Sequence, residues 1–356
     1  MGLPFLTRSA KKRDQIVAID LGGRTTKAVY LQRRGEGFSL AGFTIHDAPI
    51  YEKSISPDLL TEHLKMVTQA LGARVKPITL ALGVTDSILR QAEMPPVPVA
   101  DLRLMLKANP KAFLQQELPG HAFDCFVLPT KDNRVPDGEK KPVGSSKVKV
   151  LVGGAKQQLV NDLQMAIKAA GLIPDQIVPG LIGPVNAFEM AQGDIFRGEV
   201  FALVDLGFKN STISIISEGD LALNRVVGIG GDKMTAGLAE SMGITYAEAE
   251  GIKVGMAAEV QSNLEPLMVP LGRELRASID FFEHQYDKTV GQVFVSGAPA
   301  KSEFILQSLQ NELMVPCKGW NPTTCYHMAL PPQQMAELEQ SASQLAIALG
   351  AAACSF

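Results

Sequence analysis

The chain has 356 residues, 46% of them hydrophobic and 20% charged, enough apolar material for two or three packed units and too much for a disordered chain. Basic residues number 34 and acidic ones 37, and the net charge of −3 excludes a nucleic-acid binder built on a broadly basic surface. Cys125, Cys317, Cys325 and Cys354 form no CxxC pair and the five histidines no HExxH spacing, so free thiols in a reducing compartment and no zinc site are expected.

In chain order, residues 1–10 carry a short apolar patch at residues 3–6, and Arg8, Lys11, Lys12 and Arg13 follow it. This reads as a solvated arm, with contact to an anionic membrane surface as the alternative. Residues 16–19 read as a buried strand, 20–23 as a Gly-rich turn and 27–31 as the returning strand of a hairpin. Residues 56–71 set Leu59, Leu60, Leu64, Val67 and Leu71 at helical spacing, with Gly72 as the stop. A buried strand is expected at 78–82, a break at 94–98, and a helix over 100–118 bent at Pro110. Pro95 and Pro96 read as a hinge, and Met94, Met105 and Met165 as core or groove filler.

Residues 131–149 read as a solvated loop between two strands, 148–152 as a strand, and 156–170 as an amphipathic helix closed by Gly171. A second strand–turn–strand follows over 200–216. Short helices are expected at 236–242 and 246–253, a longer one at 268–286, a strand at 293–295 and an Ala-rich helix at 341–354. No apolar run reaches the roughly 20 residues that a membrane-spanning helix needs.

The organising feature is internal. Residues 16–31 (IVAIDLGGRTTKAVYL) lie on 201–216 (FALVDLGFKNSTISII), with Asp20 opposite Asp205. Each Asp-Leu-Gly follows an apolar strand and precedes a small polar turn. Glycine lets backbone approach anionic oxygens, and consecutive turn N–H groups form an anion nest. Two such turns suit two jaws on a phosphate chain, with Gly22, Gly23, Thr25, Thr26 and Lys27 in one and Gly207, Asn210, Ser211 and Thr212 in the other. Asp20 and Asp205 are candidate Mg²⁺ carboxylates. Alternatively each Asp only caps its turn, and Lys27 is an exposed strand residue.

These residues resemble the phosphate loops of the superfamily of actin, Hsp70 chaperones and sugar kinases. Residues 227–235 (VGIGGDKMT), with Gly230, Gly231 and Thr235, look like the turn after the second loop. Residues 245–253 (TYAEAEGIK) are similar to its nucleoside-contacting helix, with Glu250 and Lys253 at the matching positions, although such a pair can also be a plain surface contact. Residues 294–300 (FVSGAPA), with Gly297 and Ala298, resemble its adenosine motif, and 345–352 (LAIALGAA) its closing helix. Within that superfamily, Glu117-Leu118-Pro119, residues 169–172 (AAGL) and 274–282 (ELRASIDFF) look like the PilM family of type IV pilus assembly proteins, a relative of FtsA.

The resemblance implies an α/β, actin-like (ribonuclease H-like) two-lobed fold with an FtsA-type inserted subdomain. Residues 1–85 with 171–200 and 333–356 would form the first lobe, 86–170 the insertion, and 201–332 the second lobe with a small subdomain at 236–287. It further implies a cytoplasmic protein that binds ATP with Mg²⁺ between its lobes. Such a protein reaches the inner membrane by docking the cytoplasmic N-terminal peptide of a PilN-like bitopic partner at the junction of insertion and lobe; self-association is open.

Two departures stand out. Gly183 precedes Pro184 where hydrolytic members carry a Glu or Gln that orients water, so hydrolysis is expected to be weak or absent. Ala298 and Pro299 replace glycines of the adenosine motif, which adds a methyl group and removes an N–H. An active ATPase or small-molecule kinase is one alternative. An FtsA-like filament protein is another, disfavoured because residues 354–356 follow the Ala-rich helix without a basic amphipathic tail.

Overall fold

The computed structural model describes residues 13–49, 55–128 and 147–356. Most of the basic arm and most of the predicted 131–149 loop lie outside the described residues. Strands β1 (Gln15–Leu21) and β2 (Thr25–Arg34) form the first hairpin, extended antiparallel by β3 (Gly37–Asp47). Helix α1 (Pro57–Leu71) starts where the Ser56 hydroxyl accepts the Leu59 N–H, and stops at Gly72, whose φ of 68° suits glycine. Strand β4 (Pro77–Leu82) then runs parallel to β1.

Next come β5 (Ser87–Met94), α2 (Val99–Ala108), α3 (Pro110–Leu114), β6 (His121–Val127) and β7 (Val148–Lys156). They build a separate three-stranded antiparallel sheet in the order β5-β7-β6, with Met94, Leu102, Leu106 and Val150 in its own core. The expected bent helix over 100–118 is corrected here. Asn109 leaves helical geometry (φ −149°, ψ 75°) and its side chain accepts the Ala112 N–H, so Pro110 opens a new helix instead of bending an old one.

Helix α4 (Gln157–Ala169) is followed by β8 (Ile173–Pro179), a short 3₁₀ turn (Gly180–Ile182), α5 (Gly183–Ala191) and α6 (Gly193–Gly198). The second hairpin is β9 (Val200–Leu206) with β10 (Ser211–Ser217), extended by β11 (Asp220–Val227). Helices α7 (Gly231–Met242), α8 (Tyr246–Gly255) and α9 (Gln261–Tyr286) lead to β12 (Gln292–Gly297), which runs parallel to β9. The chain closes with α10 (Glu303–Leu313), β13 (Cys317–Gly319), β14 (His327–Met328), α11 (Pro332–Ser341) and α12 (Ala346–Ala353).

The strands form a six-stranded sheet, β14-β3-β2-β1-β4-β8, and a five-stranded sheet, β11-β10-β9-β12-β13. Two expected boundaries shift. Helix α4, assigned to the insertion by the 170 boundary, packs Leu163, Ala166 and Ile167 against Leu60, Leu64 and Val67 of α1 and so belongs to the six-stranded sheet's core. Strand β14, assigned to the second lobe, pairs with β3 in the first sheet. Both shifts come from long-range packing that the local pattern does not encode.

Helix α12 packs on β1, β2 and β4, while α5 packs on α12 and on β9, so two helices separate the two sheets. Phe188 of α5 meets Phe201 and Phe294 of the five-stranded sheet at ring distances of 4.7 Å each. The helices cross at glycine. A Cβ on Gly350 would fall inside the Gly183 carbonyl, and a Cβ on Gly183 would lie 2.7 Å from Ile347 Cα. Among the described residues no helix is long and apolar enough to cross a membrane.

Candidate functional site

The two hairpins end in the same way. Register sets Asp20 opposite Lys27 and Asp205 opposite Thr212, and both aspartates are almost wholly buried at the ends of β1 and β9. Lys27 Nζ stands 3.4 Å from Asp20 Oδ2. The Ser296 hydroxyl, opposite Asp205 in the parallel register of β12, donates to Asp205 Oδ1 at 2.7 Å.

Burial pushes the Asp20 carboxyl above its ordinary range, opposed by Lys27. Burial also raises Asp205; the Ser296 hydrogen bond and the Lys27 charge oppose it, and the Asp20 charge adds to it. Asp205 thus feels Asp20 and Lys27 of the other hairpin, and Arg24 of the first turn stands over the Phe208 ring of the second, so the two turns face each other across one cleft.

The turns are tight because glycine permits it. A Cβ on Gly22 would sit 2.5 Å from the Thr25 carbonyl oxygen, and one on Gly207 would sit 2.5 Å from that of Asn210. The Gly231 N–H donates to the Gly207 carbonyl (3.0 Å) and the Asp232 N–H to that of Phe208 (2.8 Å), which fastens the start of α7 to the second turn. Gly230 passes so close that a side chain would collide with the same carbonyls. Gly297 closes β12 at φ +94°, a conformation that excludes ordinary side chains here because a Cβ would also meet the Leu206 carbonyl. Ala298 follows, exposed, beside this end of the strand.

Several predicted donors are turned elsewhere. Thr26 Oγ1 lies 2.7 Å from His63 Nε2 on α1, fully buried, and Ser211 Oγ donates to the Ile229 carbonyl at 2.7 Å. Side chains alternate across a strand, so the neighbours of cleft-facing Lys27 and Thr212 must face the opposite side. Burial, reinforced by His46, lowers the His63 pKa and favours its neutral ring. Thr25, Asn210 and Gly23 stay at the turns, partly or fully exposed.

The predicted residues of α7 and α8 do converge. The N-terminus of α8 is set by a reciprocal cap between Thr245 and Glu248. Lys253 Nζ donates to Thr235 Oγ1 (2.5 Å) and to the Gly231 carbonyl (3.1 Å), and pairs with Glu250 Oε2 at 2.7 Å. Thr235 also contacts Glu250. Burial pushes the Glu250 carboxyl up, but Lys253, Thr235 and Arg24 outweigh it and the pKa falls below the ordinary value. Tyr246, one turn before Glu250, donates to Asp232 Oδ1 at 2.6 Å, and burial with that partner raises its hydroxyl to about 12.

Sequence reasoning missed Arg24, Phe208 and Ser296. Arg24 reaches from the first turn to Glu250 Oε1 (3.2 Å) and stands over the Phe208 ring. Its only sequence signal was its place inside the Gly-rich loop, and Ser296 becomes visible only through strand register. At Gly183 the helix crossing leaves no room for a side chain, so steric contact with Ile347 accounts for the glycine where a water-orienting residue is otherwise expected. Among the described residues no three His, Cys, Asp or Glu side chains form a ready metal cluster. An open groove of about 850 Å³ runs between the edges of β5 and β11 over α9, lined by Ile88, Arg90, Gln91, Leu181, Arg225 and Phe281.

Two sheets separated by paired helices, each sheet ending a hairpin in a buried aspartate at one cleft, define an actin-like protein. Comparison with known proteins agrees. Residues 18–356 match the family model described as type IV pilus assembly protein PilM, and the chain belongs to that family. A solved PilM–PilN type IV pilus biogenesis complex aligns with a TM-score of 0.80 at 21% identity, covering 96% of this chain and 98% of the other. The ethanolamine utilization protein EutJ of Carboxydothermus hydrogenoformans aligns at 0.55 and 15% identity, covering 97% and 91%. MreB5 of Spiroplasma citri bound to ADP aligns at 0.50 and 11% identity, covering 95% of each chain.

Proposed function

We propose that this chain is a nucleotide-binding scaffold of the type IV pilus inner-membrane platform. On this reading it is cytoplasmic and held at the membrane by the N-terminal peptide of a PilN-like bitopic partner. One observation carries the nucleotide part: two buried carboxylates, Asp20 and Asp205, stand at the ends of facing hairpins, and among the described residues one ammonium, Lys27, pairs with the first and acts on the second through its charge. A pair of carboxylates with too little positive charge fits a divalent cation, and Mg²⁺ is ordinarily held by one or two carboxylates together with substrate phosphates. The donor chemistry therefore fits Mg·ATP.

On this reading Asp20 and Asp205 hold the cation, while Lys27 and the backbone of Gly22, Gly23, Thr25, Gly207 and Asn210 face the phosphates. Gly230, Gly231, Gly297 and Ala298 give close passage of backbone, and Glu250, Lys253 and Thr235 form the nucleoside wall. Bound Mg²⁺ would neutralise phosphate charge. The chain offers no side chain at 183 to orient water, which supports weak or absent hydrolysis. The three-stranded insertion is read as FtsA-type, with the partner peptide lying at its junction with the first lobe. An extended peptide there gains backbone pairing and alternating side-chain pockets.

A thermal-shift panel with Mg·ATP, Mg·ADP and a PilN-type N-terminal peptide tests the two parts separately. A ligand at a hundred times its Kd stabilises by about 2.7 kcal/mol, a shift of several degrees. No shift with either nucleotide would remove the cleft assignment, and none with peptide would remove the docking assignment.

A further inference from the structure

Arg24 bridges the two halves of the molecule in a way that the nucleotide reading does not require. Its guanidinium lies 3.2 Å from Glu250 Oε1 on α8, and its Cζ stands 5.3 Å from the ring centroid of Phe208 in the second turn. Arg24 belongs to the β1–β2 turn, whereas both partners belong to the half built on the five-stranded sheet. In the internal repeat Arg24 corresponds to Lys209, so both turns carry a cation at the tip. The tips are neighbours as well: the Cγ and Cδ of exposed Lys209 lie 4.0 Å from where a side chain on Gly23 would begin.

The charges around Glu250 are lopsided. Its Oε2 is taken by Lys253 at 2.7 Å, and Lys253 is further fixed by Thr235 and the Gly231 carbonyl. Arg24, by contrast, has a side chain that is 42% exposed, and among the described residues its guanidinium meets Glu250 Oε1 and the Phe208 face. An ion pair this exposed is weak. A guanidinium gains far more from a phosphate, which it can grip with two parallel hydrogen bonds. Lys253 is anchored on Glu250; Arg24 is free to exchange.

We propose that Arg24 is an exchangeable latch that makes the cleft select nucleotides over nucleosides. The inference rests on the nucleotide reading above. Arg24 lies across Glu250 and closes the nucleoside wall. A nucleoside must displace it and offers the displaced cation nothing. A nucleoside di- or triphosphate displaces it and supplies a new anionic partner at the turn tips, beside Lys209.

Calorimetric titration of the full chain with adenosine, Mg·ADP and Mg·ATP tests this, using wild type, R24A and R24K. R24A should weaken ADP and ATP about tenfold, a loss of one charge-assisted contact. It should tighten adenosine a few-fold, because the competing pair is gone. R24K, which keeps the charge without the planar fork, should lie between the two for ADP and ATP. Thermal midpoints of the variants check that each is folded, which an exposed turn position should permit. Equal weakening of all three ligands in R24A would mark Arg24 as a strut that shapes the cleft, and an unchanged set would mark it as a bystander; either result overturns the proposal. If wild type binds none of the three ligands, the cleft reading itself fails, and this inference with it.

Discussion

The first hairpin and the second share strand order, register and the first glycine of the turn, yet they satisfy their buried aspartates differently. Asp20 is held by a cation from its own hairpin, Lys27, whereas Asp205 is held by a hydroxyl from the next strand, Ser296. The position equivalent to Lys27 is Thr212, and the position equivalent to Ser296 is Ala81. The repeat has therefore divided the work, one half supplying the ammonium and the other the neutral donor. A second lysine would have neutralised both carboxylates and left no charge deficit for a cation; two neutral donors would have left two buried charges uncompensated.

The largest expected effect comes from a glycine that only the second half has. Gly297→Ala forces an alanine into φ +94° and drives its Cβ into the Leu206 carbonyl, so a loss of about 3 kcal/mol or more is expected by chemical denaturation. The corresponding position in the first half, Leu82, is an ordinary buried side chain. A stable Gly297→Ala protein would show that the two halves are more alike than described.

Removing the shared cation comes next. Lys27→Met leaves Asp20 without its ion-pair partner, and a loss of about 2 to 3 kcal/mol at neutral pH is expected, smaller at acid pH where the carboxyls are protonated. Asp20→Asn in the same chain should restore most of it, because no buried charge is then left unpaired. A Lys27→Met loss that is the same at pH 4 and pH 7 would contradict the electrostatic account.

The smallest effects test the inward hydroxyls. Thr26→Val and Ser211→Ala should each lower stability by about 1 kcal/mol, the net value of an ordinary hydrogen bond, through His63 and the Ile229 carbonyl. Nucleotide affinity should not change in either. Lost affinity at unchanged stability would return both hydroxyls to the phosphate site.

What the sequence could disclose follows from how local each cause is. Ser56, Pro57 and Gly72 are adjacent to the helix that they delimit, so α1 was legible to within a residue at each end. The hairpins were legible because Asp-Leu-Gly recurs between apolar strands. Pro110 was misleading because its effect depends on the Asn109 side chain, which caps the next helix and ends the reading of one long helix. Strand β5 reads SILRQAEM, a polar edge strand without the apolar density that marks a buried one. Thr26 and Thr25 look identical in sequence; only strand alternation, once the register is known, turns one toward His63. Ser296 and Arg24 act on partners 91 and 226 positions away, which no local pattern reports.

Asp20 and Asp205 form a costly buried pair that suits a cation and its phosphate-bearing ligand. Burial raises both carboxyls, so the folded protein holds protons that the unfolded chain releases near the ordinary value of 3.8. Their stabilising contribution is present below that pH and is lost as pH rises through the raised folded-state values. The direct measurement is the thermal midpoint of wild type, Asp20→Asn and Asp205→Asn from pH 4 to 8, with and without Mg·ATP. Each asparagine variant should be at least as stable as wild type at pH 7, decline less with rising pH, and lose the Mg²⁺-dependent shift given by nucleotide. Variants that are less stable at pH 7 and still shift fully with Mg·ATP would contradict it.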